Sequence, residues 1–254
     1  PYFNQDQALE ADKNVTVQLA DASTRGVPVR LRSWPQTRAA DSADLGLLPR
    51  LPETRDELHS IAESMGADPK HSVYLGREAN EKQVKEMKLD DVRVIAFATH
   101  GLVPGDLDGL DQPALALSAP DVASVEGDGL LTMDEIIGLR LNADWVVLSA
   151  CNTASAEGAG AEAVSGLGRA FFYAGAKSLL VSNWPVHSGA TAYLTATLFS
   201  LQAADASLSR AEALQQTRLK MIDRGTLKGR LGKPLFSYAH PIFWAPFTIV
   251  GDGG

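Results

Sequence analysis

The chain has 254 residues, 45% of them apolar, and a formal net charge of -8. That length holds one large domain or two small ones with a proper core. The acidic balance argues against general nucleic-acid binding, which needs a basic face, and no run approaches the roughly 18 apolar residues of a membrane span. The one cysteine, Cys151, allows no internal disulfide and no zinc site built from several thiolates. It leans toward a reducing, cytoplasmic compartment. The chain opens at Pro1 without a methionine and reads as a fragment, so targeting signals carry no weight here.

Residues 1–47 read as an irregular N-terminal segment, the tail of an upstream region, with a short strand candidate at Val15–Leu19. From Leu51 the signals sharpen, and 48–254 read as one domain. Thr54 with Glu57 has the spacing of a capping box, followed by Leu58, Ile61, Ala62 and Met65 on one helical face and a stop at Gly66. Ser72–Leu75 reads as a short strand, and Asn80 with Gln83 caps a second helix. Val92–Ala98 is an apolar strand ending in Thr99-His100-Gly101, and Ala114–Leu117 is another short strand. Thr132 with Glu135 makes a further capping box. Trp145–Ala150 is a buried strand ending in Cys151. A small-residue loop then leads to a helix over 162–173, stopped at Gly175. Ser178–Ser182 is the next strand, helices follow at 188–201 and 208–223, and Phe247–Val250 closes the chain. Strands alternating with amphipathic helices predict an α/β fold, a mostly parallel sheet with helices on both faces.

The lone thiol and one of five histidines each stand at the carboxyl end of an apolar strand, the edge where open α/β sheets bind ligands. A thiol attacks only as thiolate, and an imidazole beside it takes its proton. His100 and Cys151 therefore read as a nucleophilic pair. Gly101 allows close approach, and its N–H with that of Cys151 forms a candidate oxyanion hole. His187, in Asn183-Trp184-Pro185-Val186-His187, also falls at a carboxyl edge and is the chief rival base. His59 reads as a surface residue, His71 as a turn residue and His240 as packing. Set against this pair is the plain reading of a buried core cysteine. Two further patterns fail. The glycines at 158 and 160 come too late after Ala150 for a dinucleotide-binding turn. Asp106, Asp108 and Asp111 lack the order of a calcium loop, though they would favour a basic substrate residue.

Several blocks in order carry a family resemblance: Leu51-Pro52-Glu53-Thr54-Arg55-Asp56-Glu57-Leu58, Phe97-Ala98-Thr99-His100-Gly101, Asp128-Gly129-Leu130-Leu131-Thr132, Leu148-Ser149-Ala150-Cys151-Asn152-Thr153, Gly166-Leu167-Gly168-Arg169-Ala170-Phe171, Val181-Ser182-Asn183-Trp184-Pro185-Val186 and His240-Pro241 with Phe243-Trp244-Ala245-Pro246-Phe247. From about Leu48 to Gly251 the chain resembles the CHAT domain, a caspase-like cysteine peptidase domain found beside tetratricopeptide repeats in bacteria. His100 precedes Cys151 by 51 positions, and roughly 50 is a caspase-like spacing. The resemblance implies a caspase-like three-layer sandwich. It implies His100 as general base, Cys151 as nucleophile, hydrolysis of peptide bonds in a protein or peptide substrate, and no metal or organic cofactor. By the same resemblance the strand after the cysteine strand binds substrate, which maps to Ser182, Asn183 and Trp184; Asp106, in the loop that follows His100, is a further substrate-binding candidate by its position alone. A tetratricopeptide region or a regulatory partner would activate it. The alternative is a silent caspase-like scaffold. The chain departs from the family at His187, where an acidic residue is usual.

Overall fold

The computed structural model describes residues 1–12, 45–107, 109–149, 159–184, 186–228 and 234–253. The main sheet contains β1 (Val94–Phe97), β5 (Trp145–Leu148), β6 (Ser178–Ser182) and β9 (Phe247–Gly251), in the order β1-β5-β6-β9. β1, β5 and β6 are parallel, and β9 runs antiparallel along β6. A smaller antiparallel sheet, β2 (Gly101–Leu102), β3 (Ala114–Ala116) and β4 (Leu130–Thr132), starts directly after His100. A hairpin pairs β7 (Thr226–Lys228) with β8 (Pro234–Ser237).

Successive strand residues point to opposite faces, so each central strand must be apolar on both. On one face Val146, Leu148, Leu179 and Val181 meet Leu167, Ala170, Phe171 and Ala174 of α7 (Ala159–Ala174). That spacing of three, one and three residues is a single helical stripe. α5 (Pro120–Ala123) precedes β4, and α6 (Met133–Ile137), which follows it, adds Ile136 to the same core. On the other face Trp145, Val147 and Leu180 meet α2 (Thr54–Ser64), α8 (Ser188–Ala204) and α9 (Arg210–Arg224) through Ile61, Leu194, Leu198 and Met221. Each fully buried Leu, Ile or Val side chain contributes about 1.5–3 kcal/mol. The result is an α/β caspase-like sandwich with a mostly parallel sheet between two helical layers.

Local rules explain the ends of several elements. Asn80 Oδ1 accepts from Gln83 N–H at 2.8 Å and caps α4 (Glu81–Glu86). Glu135 Oε2 accepts from both the N–H and hydroxyl of Thr132, each at 2.9 Å, at the start of α6. After α7 the chain turns at Gly175, whose φ of 116° suits glycine, and a Cβ there would lie 2.1 Å from the Leu141 carbonyl oxygen.

Other expectations need correction. Ser72 does not begin a strand; it ends a short helix, α3 (Pro69–Ser72), and among the described residues 73–75 pair with no strand. Asp68 caps that helix by accepting from Lys70 N–H at 3.1 Å, and proline in its first turn outweighs the β-forming residues that follow. Thr54 is not a cap: its hydroxyl donates to the Leu51 carbonyl at 2.7 Å. Glu57 is buried and accepts from the Thr195 hydroxyl of α8 at 3.1 Å instead of closing a box. Within 1–47, read as irregular, Gln5–Asp12 forms α1 and Phe3 is buried with Leu45 and Leu48. The strand candidate Val15–Leu19 lies outside the described residues.

Candidate active site

β1 carries the chain to Thr99 and His100, both buried past the carboxyl end of the strand. His100 is 0% exposed, and its Nε2 lies 2.7 Å from the Pro49 carbonyl oxygen. A carbonyl only accepts, so Nε2 carries the ring proton and Nδ1 is the basic nitrogen of the neutral ring. Phe3 packs on the imidazole with ring centroids 5.4 Å apart. The ring is thereby held at two points, by a backbone acceptor and by an aromatic face.

Gly101 opens β2 opposite Leu115. Ala116 N–H donates to the His100 carbonyl at 2.9 Å, which makes that pair the hydrogen-bonded one. Antiparallel ladders alternate, so Gly101 occupies a non-bonded position and turns its N–H away from β3. β5 runs beside β1 with Phe97 level with Leu148, and Ser149 follows, buried. Cys151 and Asp108 lie outside the described residues.

The remaining sequence candidates fall in different places. Ser182 is buried at the end of β6, level with Phe247 of β9. Asn183 extends that pairing: its Nδ2 donates to the Pro246 carbonyl at 2.8 Å and to the Thr248 hydroxyl at 2.9 Å. Trp184 is 38% exposed just beyond the strand end. Asp106 is buried, and its Oδ2 accepts from Val103 N–H at 2.9 Å within its own loop.

His187 caps α8: its Nδ1 accepts from Ala190 N–H at 3.2 Å, and its ring meets Phe243 edge-on at 5.7 Å. Asp is a favoured cap, so an acidic residue and this histidine serve the same helix end by the same bond. His240 likewise accepts from Ile242 N–H at 3.2 Å. His71 sits beside Asp68 at 2.7 Å on the surface, and His59 is half-buried on α2. Near His187, burial pushes the Tyr238 hydroxyl up to about 12, with Tyr193 and Glu53 adding to it.

Sequence reasoning missed Pro49 and Phe3. A backbone carbonyl has no side-chain signature, and Phe3 precedes the readable blocks.

The family model described as CHAT domain matches residues 5–252. The chain belongs to the CHAT domain family. CHAT domains fall in the caspase-like protease clan, in keeping with the sheet and with His100 at its edge. Among curated proteins the domain is similar to tetratricopeptide repeat protein 28 of Mus musculus, 26% identical over 231 residues. It is also similar to the Homo sapiens protein of the same name, 25% identical over 234 residues. Each alignment covers 80% of this chain but only 9% and 8% of those relatives, so this CHAT domain spans less than a tenth of their length. Their name places the similar domain in proteins that carry tetratricopeptide repeats.

Proposed function

We propose that this CHAT domain is a cysteine endopeptidase in which His100 is the general base and Cys151 the nucleophile. The observation that carries the reading is the held imidazole at the carboxyl end of β1. Nε2 is committed to Pro49, which leaves Nδ1 as the base. Support also comes from register. Phe97 and Leu148 are level on adjacent parallel strands, and His100 and Cys151 each stand three residues further on. Adjacent strands of a sheet run about 4.8 Å apart.

In this reading Nδ1 takes the Sγ proton, and the thiolate attacks the scissile carbonyl carbon. The Gly101 and Cys151 N–H groups receive the developing oxyanion. The carbon–nitrogen bond breaks as the imidazolium returns its proton to the leaving amine, and a thioester remains. Water, deprotonated by His100, then attacks the thioester and releases the acid and the thiol. Trp184 is the exposed side chain at the neighbouring strand end, available for substrate. Ser182, Asn183 and Asp106 serve the sheet and a loop. A tetratricopeptide region of a longer chain, as in the relatives' name, is the partner we assign to control.

The full burial of His100 under Phe3 favours a second reading, a caspase-like module without activity. A peptide carrying a thiol-reactive group separates the two. Labelling of Cys151 that is lost in His100→Ala supports the peptidase. A domain that stays unlabelled together with its full-length chain and partners is the scaffold.

A further inference from the structure

The helices α2 and α8 begin at the same edge of the main sheet. α8 follows β6, and α2 follows Pro49, whose carbonyl holds His100 beyond the end of β1. Both therefore run back along the same face, side by side and parallel, and Glu57 of α2 accepts from the Thr195 hydroxyl of α8 at 3.1 Å. Residues four apart share a helix face. One turn nearer the edge, Glu57 is preceded by Glu53 and Thr195 by Thr191, and Thr191 N–H donates to the His187 carbonyl at 2.9 Å. Glu53 thus stands beside the His187 end of α8. Tyr238, which follows β8, marks the same neighbourhood. Its ring packs on His187, Tyr193 and Phe243. Burial, Tyr193 and the Glu53 carboxylate together push its hydroxyl up.

The path of the chain sets this carboxylate in front of the strand between. Pro49 meets the end of β1, and Glu53, four residues on, meets the segment that follows β6. Four residues span at most about 14 Å, and β1 and β6 lie two strand spacings apart, about 10 Å. The segment therefore crosses the carboxyl end of β5, the strand that leads to Cys151.

Among the described residues the Glu53 side chain has no structural partner. It occupies the N-cap position of α2 but makes no cap bond, and its Oε2 is buried without a hydrogen bond. Of the cations nearest in sequence, Arg50 lies over the Tyr2 ring at 5.2 Å and Arg55 is exposed. Burying a carboxylate oxygen without a partner is costly, and a cation brought by a ligand removes that cost. Asp106, the acid that the sequence offers for a basic substrate residue, accepts instead from Val103 N–H.

With His100 and Cys151 acting as proposed, we infer that Glu53 is a specificity-determining residue, its carboxylate receiving the guanidinium of an arginine on the amino side of the scissile bond. A guanidinium fits better than an ammonium, because its planar fork meets a carboxylate with two bonds and stacks on aromatic faces. His187, Tyr238 and Phe243 supply those faces.

The test uses the full-length chain with its partners and three peptide acyloxymethyl ketones. They differ only in the residue that bears the reactive carbonyl: arginine, leucine or aspartate. The parent should label at Cys151 about tenfold faster with the arginine probe than with the leucine probe, the order of a hydrogen bond to a charged group. That ratio should fall to about one in Glu53→Gln, and Glu53→Arg should turn the preference to aspartate. A parent without an arginine preference, or a Glu53→Gln that keeps it, overturns the proposal. A second arm reads binding alone, by fluorescence anisotropy of the arginine and leucine peptides, without the reactive group, on Cys151→Ser. If no probe labels any form, the peptidase reading fails and this arm decides Glu53. Tighter binding of the arginine peptide that is lost in Glu53→Gln then upholds the pocket, and its absence overturns it.

Discussion

Replacing His187 tests the division of labour between the two strand-end histidines. In His187→Ala the Ala190 N–H loses its acceptor at the start of a 17-residue helix. Loss of an N-cap costs about 1 kcal/mol, and loss of the edge-on contact with Phe243 adds about 0.5–1.5 kcal/mol. The total, about 2 kcal/mol, should lower the melting temperature by roughly 4–8 °C in a chain of this size. His187→Asp restores the acceptor and puts a carboxylate at the positive helix end. It should recover about half of the loss. Neither variant touches the proposed base, so thiol-probe labelling of Cys151 should stay within about twofold of the parent. His100→Ala should lower labelling by about a hundredfold or more, the size of a general-base contribution. The assays are differential scanning calorimetry and labelling followed by mass spectrometry. Unchanged melting in His187→Ala would refute the capping role. Abolished labelling in a folded His187→Ala would make His187 the base.

Two further outcomes concern stability. The Asp144 carboxylate is held below its ordinary value of 3.8 by hydrogen bonds from Lys177 at 2.8 Å and Arg93 at 2.6 Å. A depressed carboxylate stabilises the fold above its unfolded value, and that contribution is lost as pH falls through the lower folded value. Asp144→Asn should therefore flatten the acid limb of stability below about pH 4, read by denaturant titration; a parallel shift across all pH values would contradict this. Gly175→Ala places a Cβ 2.1 Å from the Leu141 carbonyl oxygen at a φ of 116°. It should cost about 3 kcal/mol or more, checked by chemical unfolding; a loss under about 1 kcal/mol would show that this turn relaxes freely.

Much of the sandwich was legible because its signals are local. The runs at 92–98, 145–150 and 178–182 are apolar on both faces, and only a strand between two helical layers needs that. The stripe of Leu167, Ala170, Phe171 and Ala174 spells out a helix in the same way. Legibility failed where a side chain had two partners to choose from. Glu57 has the spacing of a capping box, but a hydroxyl 138 positions away takes it. His187 looked like a base because strand ends are where bases sit, and it is a cap because a long helix begins there.

The sequence by itself determined which residue types follow the apolar runs: an imidazole at His100, Gly101 beside it, and the lone thiol of Cys151 three positions after Leu148. These follow from backbone periodicity, which is set within a few residues. Only the tertiary structure decided which nitrogen of His100 is basic, because the Pro49 carbonyl is 51 positions away and no side chain announces it. It alone decided that Phe3 packs on the ring and that, among the described residues, β1 is paired on one side only. Contacts between distant segments arise from how layers stack, and stacking leaves no mark in the local pattern of either segment.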